Sequence, residues 1–231
     1  MTEKIRSLQM NEDNRRWWAL GAMCFALFMI MLDNTVVNVA LPSIERDLGA
    51  SLSSLEWTIN GYTLTLAALI LLGGSLGDRF GRRRIFVIGT VWFAVASALC
   101  ALAPSIEILV AARALQGIGG ALLTPGSLAM IGASFVEQDR GKAIGAWSGF
   151  GGIATAIGPF IGGYLVAGPG WRWVFLINLP ISVLVVILML QHVPESRDPH
   201  ASPHFDVLGA VLSAGEHGDS AEVVALPFAL A

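Results

Sequence analysis

The sequence predicts an all-α membrane protein built as a six-helix transmembrane bundle, and three observations lead to this fold class. Apolar residues make up 55% of the 231 residues and charged residues only 13%, a balance that is unusual for a soluble domain. Six apolar runs are each long enough, at about 1.5 Å per residue, to cross a hydrocarbon core of roughly 30 Å. These runs lack the strict alternation of barrel strands, and a helix satisfies its own backbone hydrogen bonds in lipid.

The predicted transmembrane domain covers residues 17–191 and follows a short N-terminal segment, residues 1–16. Its six spans are residues 17–40, 55–76, 85–103, 106–131, 143–166 and 172–191. The first apolar run is too long for the core of a secretory signal and contains Asp33. We therefore interpret it as an uncleaved transmembrane helix.

A polar, proline-rich stretch over residues 192–206 is typical of a linker. The apolar pattern then predicts a seventh helix that begins near residue 205 and stops after only about ten residues. Glu216, His217, Asp219 and Glu222 follow at once, and burying so many ionisable groups in lipid would cost several kcal/mol each. We expect a truncated seventh helix within an aberrant tail, residues 207–231, with a natural polar tail as the alternative.

The basic residues outside the predicted spans are distributed unevenly between the two sides of the membrane. Arg46 and Arg172 fall on one side, whereas the other side carries Lys4, Arg6, Arg15, Arg16, Arg79, Arg82, Arg83, Arg84, Arg140, Lys142 and Arg197. Because Lys and Arg accumulate on the cytoplasmic side, this asymmetry predicts a multi-pass protein of the cytoplasmic membrane with its N-terminus in the cytoplasm. Five tryptophans at predicted span ends suit the membrane interface: Trp17, Trp18, Trp57, Trp171 and Trp173.

Two ionisable residues, Asp33 and Arg113, lie inside predicted spans. A charge at the centre of a transmembrane helix costs roughly 2.5 to 3.5 kcal/mol on insertion scales, so each is a candidate functional residue. Counting from the span ends places both about 10 Å below the outer surface, where they can neutralise each other. Asn34, Asn38 and Gln116 add polar groups within a turn or so, which indicates a polar cavity for proton coupling or substrate binding. The alternative is an ion pair that only holds two helices together.

The loop between the second and third spans carries a dense group of charges framed by glycines. It reads Gly74-Ser75-Leu76-Gly77-Asp78-Arg79-Phe80-Gly81-Arg82-Arg83. The Asp78 carboxylate can either neutralise the neighbouring arginines or cap the start of the third helix near Arg84. We predict a conformational latch formed by Gly74, Asp78, Arg79, Gly81, Arg82 and Arg83, with a pure topology signal as the alternative.

The fifth span contains small residues at helical spacing, among them Gly158, Gly162 and Gly163. Such a face allows another helix backbone to approach closely, and Pro159 removes one backbone donor and bends the helix. This pattern predicts a pivot, although glycine and proline are also common in ordinary transmembrane packing.

Several other classes of function find no support in the sequence. The chain has no phosphate-binding loop of the Gly-x-x-x-x-Gly-Lys type and no other enzyme motif, so we predict that it is not an enzyme. The histidines cluster in the linker and tail, where solvated side chains are more common than a metal site, and no metal is expected. The net charge of −3 is small, and nucleic acid is not expected as a partner.

These motifs together resemble those of the major facilitator superfamily. The loop from Gly74 to Arg83 resembles its signature between helices two and three, and Arg113-x-x-Gln116-Gly117 resembles its fourth-helix signature. Gly158-Pro159-x-x-Gly162-Gly163 is similar to the fifth-helix signature of its antiporters. The stretches from Leu32 to Pro42 and from Trp171 to Pro180 resemble the drug:proton antiporter branch with fourteen helices.

The resemblance implies the N-terminal half of a carrier that exports small amphipathic or drug-like compounds by alternating access. The proton gradient would be its energy source, with no cofactor, and Asp33 and Arg113 would act in proton coupling or substrate recognition. Its partners would be a small-molecule substrate, the lipid bilayer and either a missing C-terminal half or a second copy. A non-transporting fragment and an uptake carrier of the same fold remain alternatives.

Overall fold

The computed structural model describes residues 2–197, with side chains from residue 14 onward, and this part of the chain is entirely helical apart from its short connections. The helices are α1 (Thr2–Leu48), α2 (Leu52–Phe80), α3 (Arg82–Leu102), α4 (Ile106–Ser134), α5 (Glu137–Ala167), α6 (Trp173–Leu176) and α7 (Asn178–His192). The predicted seventh helix, the tail and the end of the linker lie outside the described residues.

Six helical segments in the described part are long and apolar enough to cross a membrane, as predicted. The consecutive helices α6 and α7 together form the sixth, Trp173–His192. The helices are longer than the apolar runs that predicted them, because their polar end turns remain helical outside the apolar stretch. For example, α1 continues past residue 40, includes Pro42 and ends at Leu48.

Two layers of buried apolar side chains form the core of the bundle. One includes Met23, Phe86 and Met130, and the other includes Leu32 and Leu109. Several polar and charged side chains are also fully buried within the described bundle. The bundle therefore shields a polar site from lipid and water on all sides.

The two ends of the bundle differ in charge. We call the end that carries the start of α1, the α2–α3 connection and the end of α7 the basic face, and the other end the opposite face. On the opposite face, Asp47 at the end of α1 accepts hydrogen bonds from Trp171 Nε1 at 2.9 Å and from Arg172 Nη1 at 2.7 Å. Trp171 is only 4% exposed, so its predicted position at the lipid interface is wrong; it is a buried donor that ties α1 to α6.

The helices α2 and α5 are the least covered. Only 17% of the most apolar stretch of α2 and 22% of that of α5 is buried, against 61% for the first span. Large apolar side chains such as Leu71, Phe160 and Tyr164 point outward from these helices. Lipid or another protein surface must therefore cover both.

Candidate transport site

The centre of the site is an ion pair between α1 and α4. Arg113 Nη1 donates to Asp33 Oδ2 at 2.6 Å, and the two side chains are 1% and 0% exposed. The attraction between two buried opposite charges offsets only part of the free energy needed to take them out of water. Removing one partner is therefore strongly destabilising, because the other charge is left buried and uncompensated. The two residues that the sequence singles out by their charge are thus direct partners.

Gln116, one turn after Arg113 on α4, connects the ion pair to α3. Its Oε1 accepts from Arg113 Nη1 at 2.7 Å, and its Nε2 donates to Asp33 Oδ1 at 3.0 Å and to Ser97 Oγ at 2.8 Å. Both ends of this amide are therefore occupied. Gln116 holds the guanidinium and the carboxylate in a fixed relation to each other.

Asn178, the first residue of α7, completes the set of donors to Asp33. Its Nδ2 donates to Asp33 Oδ1 at 2.7 Å and contacts Ser97 Oγ at 3.2 Å. Its Oδ1 is buried without a hydrogen-bond partner among the described residues. Sequence reasoning missed Ser97 and Asn178 as site residues. An uncharged polar residue such as Ser97 carries little signal by itself, whereas the resemblance of the stretch from Trp171 to Pro180 was a signal that could have found Asn178.

The guanidinium of Arg113 also makes contacts with α2. Its Nε donates to the Thr58 carbonyl at 3.2 Å, and its Cζ lies 4.3 Å from the centre of the Tyr62 ring. A cation over an aromatic face gains electrostatic attraction, more so where water is absent. The Tyr62 side chain is itself fully buried. Arg113 is thus anchored on α2 as well as on α1.

Two predicted members of the site, Asn34 and Asn38, do not bond to the ion pair itself, although the Asn34 side chain reaches the Tyr62 hydroxyl. Asn38 is exposed, and its Nδ2 donates to the Asn34 carbonyl of its own helix at 2.7 Å. A helix turns by about 100° per residue, so Asn34 and Asn38 project from α1 in other directions than Asp33 does. Only Gln116 among the three predicted neighbours joins the ion pair.

The loop motif at the basic face is more compact than expected. Gly81 alone separates α2 from α3, with φ of +111°, and the arginines after it lie in the first turn of α3. Asp78 pairs with Arg82 across this break, with an Oδ1–Nη2 distance of 2.7 Å. Of the two alternatives for Asp78, charge neutralisation is therefore the one observed.

The cap of α3 comes from Glu195, which sequence reasoning placed in the linker. The two oxygens of its carboxylate accept from the backbone N–H groups of Arg83 at 3.1 Å and Arg84 at 3.2 Å. The Ser196 carbonyl accepts from the Arg82 N–H at 2.9 Å. A carboxylate at a helix N-terminus satisfies free donors and complements the helix dipole. The end of the sixth span is thereby fixed to the start of the third.

This contact also explains the glycine at residue 81. A Cβ on Gly81 would come within 2.6 Å of the Glu195 carboxylate, and the positive φ is unfavourable for other residues. The other predicted latch residues lie nearby. Arg83 Nη1 donates to the Val193 carbonyl at 3.0 Å, Arg79 Cζ lies 5.5 Å from the Phe80 ring, and Gly74 on α2 faces Pro125.

The glycine motif of α5 packs against α1, immediately beyond Asp33. A Cβ on Gly158 would come within 2.6 Å of the Thr35 side chain, and one on Gly162 within 3.1 Å of Val39. Pro159 is exposed, and a Cβ on Gly163 would meet no atom within 4 Å. The motif therefore has one contact side and one open side.

Among residues 14–197, no three His, Cys, Asp or Glu side chains come together in an arrangement that could hold a metal ion. What the buried cluster offers instead is one ionisable carboxylate, one permanent cation and three uncharged polar partners. Such a set can bind or release a proton at Asp33, or exchange the Arg113 contact for another anion or acceptor.

Comparison with known proteins places the chain among membrane transporters. The profile of the Major Facilitator Superfamily matches residues 23–227. The chain is 46% identical over 202 residues to a probable actinorhodin transporter of Streptomyces coelicolor, covering 86% of the chain and 35% of that protein. It is 44% identical over 200 residues to the multidrug efflux pump LfrA of Mycolicibacterium smegmatis, covering 86% of the chain and 40% of that protein. The chain thus spans well under half the length of these curated relatives.

Solved structures share the fold at low sequence identity. The structure of a peptide transporter POT in complex with sulfate aligns with 92% of this chain over 46% of the transporter's own chain, with a TM-score of 0.70 and 15% identity. A bacterial homologue of the human lysosomal transporter Spinster, inward-facing and occupied, matches 80% and 46%, with a TM-score of 0.68 and 21% identity. The six spans fit an N-terminal half of this fold. The chain is a multi-pass membrane protein and belongs to the Major Facilitator Superfamily.

Proposed function

We propose that this chain forms the N-terminal half of a proton-coupled carrier that exports small amphipathic or drug-like compounds across the cytoplasmic membrane. The observation that carries the proposal is the fully enclosed Asp33–Arg113 pair at the centre of the bundle. The relatives named as a probable actinorhodin transporter and a multidrug efflux pump support the substrate class. The uneven distribution of Lys and Arg supports an N-terminus in the cytoplasm.

The proton step would take place on the Asp33 carboxylate. When Asp33 is ionised, Arg113, Gln116 and Asn178 all donate hydrogen bonds to it, which holds α1, α4 and α7 together. Protonation removes the negative charge and with it most of the attraction to Arg113. The balance between two conformations of the carrier then shifts toward the one in which these helices separate.

Asn178 is suited to accommodate the proton. A protonated carboxyl needs an acceptor for its O–H group, and the Gln116 oxygen is already occupied by Arg113. The Asn178 oxygen has no partner among the described residues, and rotation of the side-chain amide would turn it toward Asp33. One amide can thus donate to the ionised form and accept from the neutral form.

The glycine motif of α5 provides a route from this step to helix movement. Thr35 and Val36, which contact Gly158 and Gly162, lie two and three residues after Asp33 on α1. A shift of α1 on proton binding would therefore displace its contacts with α5 directly. In this proposal Gly158 and Gly162 are the pivot, whereas Pro159 and Gly163 permit bending on the open side.

The uncovered faces of α2 and α5 support a second half as the missing partner. In this architecture a substrate binds between two halves, and the present chain spans about 35% to 40% of the length of the relatives described above. A second candidate function follows from the same observation. Without that partner, this chain would be a folded half-carrier that does not transport.

Transport by inverted membrane vesicles tests the proposal. Vesicles that contain this half joined to a second half should take up a cationic dye when a proton gradient is applied, and Asp33→Asn should abolish gradient-driven uptake. Asp139→Asn, which changes only a surface ion pair with Lys142, is the matched control. Uptake that is unchanged in Asp33→Asn would refute the role of Asp33. Uptake by the chain alone would refute the half-carrier candidate.

A further inference from the structure

A cavity of about 340 Å³ opens at the basic face, separate from the buried ion pair. It lies between the first membrane turn of α1, the end of α4 and the segment that follows α7. The polar side chains that line it are Arg15, Arg16, Ser134, His192 and Ser196. The volume is sufficient for a phosphate group with its substituents.

The lining is positively charged and rich in hydrogen-bond donors. Among the described residues, the lining contains two guanidinium groups, one imidazole and two hydroxyls, and none of these lining residues is Asp or Glu. Arg15 Nε donates to the His192 carbonyl at 3.0 Å, which fixes that guanidinium at the wall between α1 and the end of α7. The planar, forked geometry of a guanidinium matches phosphate oxygens, and charge-assisted hydrogen bonds of this kind are among the strongest in proteins.

Two tryptophans place the cavity at the depth of lipid headgroups. Trp17 and Trp18 are 48% and 55% exposed and follow Arg15 and Arg16 directly. Trp18 stacks on His192 of the cavity wall, with ring centres 5.6 Å apart. Exposed indole rings at the end of a span favour the zone between headgroups and acyl chains. A headgroup at that depth can reach the cavity without leaving its leaflet.

From these observations we propose that the cavity binds the phosphate group of an anionic phospholipid headgroup. Arg15 would be its principal charged ligand, with the Ser134 and Ser196 hydroxyls as further donors. Basic pockets between transmembrane helices are recognised sites for such headgroups. A soluble phosphate offers the same chemistry, and the test separates the two sources. The proposal does not depend on transport, so its outcome is independent of the role of Asp33.

Thermal unfolding of the purified full chain in detergent measures the binding. Titration with phosphatidylglycerol should raise the unfolding temperature in a saturable manner, whereas zwitterionic phosphatidylcholine should have a much smaller effect. Arg15→Gln should weaken the apparent affinity for phosphatidylglycerol about tenfold, the typical effect of losing a charged hydrogen bond. Arg172→Gln, which removes a guanidinium from the opposite face, is the matched control and should leave the affinity unchanged.

Inorganic phosphate, titrated separately, identifies the source of the ligand. If only phosphatidylglycerol raises the unfolding temperature, the site binds a lipid. If inorganic phosphate also raises it, and Arg15→Gln abolishes this increase, the same site binds the phosphate group of a soluble ligand. Arg15→Lys keeps the positive charge but not the planar, bidentate guanidinium, so this variant should lose less affinity than Arg15→Gln. The proposal would be overturned if Arg15→Gln and Arg172→Gln had equal effects on the affinity. It would also be overturned if the chain showed neither selectivity for phosphatidylglycerol over phosphatidylcholine nor any response to inorganic phosphate.

Discussion

Gly158 of α5 lies directly against the Thr35 side chain of α1, so closely that a Cβ at residue 158 would come within 2.6 Å of two Thr35 carbon atoms. Thr35 is in turn only two residues from Asp33, the acidic member of the buried ion pair. The fifth-helix motif is therefore linked to the site through one helix–helix contact. Small residues at such contacts let transmembrane helices approach closely.

We expect Gly158→Ala to destabilise the bundle by about 1–3 kcal/mol, because an added methyl group forces Thr35 or the helix backbone to move. Gly163→Ala is the matched control, since a Cβ there meets no atom within 4 Å and alanine favours the helix. Unfolding of both variants in mixed detergent micelles measures the difference. Equal stability of the two variants would contradict the close packing of α1 on α5.

The buried ion pair should show strong energetic coupling. Removing one partner leaves an uncompensated buried charge, so Asp33→Asn and Arg113→Met should each cost about 3–5 kcal/mol of unfolding free energy. The double variant should cost less than the sum, with a coupling of about 1–3 kcal/mol. The exposed pair of Asp139 and Lys142 is the control, with an expected coupling below about 0.5 kcal/mol. Additive effects at Asp33 and Arg113 would contradict a direct pair.

Much of the fold could be predicted because lipid imposes strong constraints on a sequence. Apolar runs of sufficient length must be helices, and a charge within such a run is costly enough to stand out, as Asp33 and Arg113 do. Counting residues from the ends of two antiparallel spans was enough to bring these two side chains to the same level.

The remaining site residues depend on how the helices are rotated and packed, which a single sequence does not contain. Ser97 is uncharged, and nothing local distinguishes it from other polar residues in a span. Asn178 lies in the stretch from Trp171 to Pro180 that carries a family resemblance, but that stretch does not show which residue the side chain contacts. Asn38 lies close to Asp33 in sequence but points elsewhere on α1. Glu195 follows the last described helix in sequence, and only the tertiary fold brings its carboxylate to the start of α3.

The cap formed by Glu195 should protect the start of α3. Loss of an N-terminal cap typically costs about 0.5–2 kcal/mol, so Glu195→Ala should destabilise the chain by this amount and speed hydrogen exchange at the amides of Arg83 and Arg84. Glu195→Gln keeps one acceptor and should have a smaller effect. Glu107→Ala, in the first turn of α4 on the opposite face, is the control and should leave hydrogen exchange at Arg83 and Arg84 unchanged. Unchanged exchange at Arg83 and Arg84 would contradict the cap.

Asn178 should report directly on the protonated form of Asp33. If the amide turns to accept the carboxyl O–H group, the C=O stretching band of protonated Asp33 should shift when Asn178→Val removes the acceptor. Asn178→Ser keeps a group that can donate or accept, and its band should stay close to that of the unmodified chain. Infrared difference spectra between high and low pH measure this band, and its absence in Asp33→Asn assigns it. A band at the same position in the Val and Ser variants would mean that the proton on Asp33 has another acceptor.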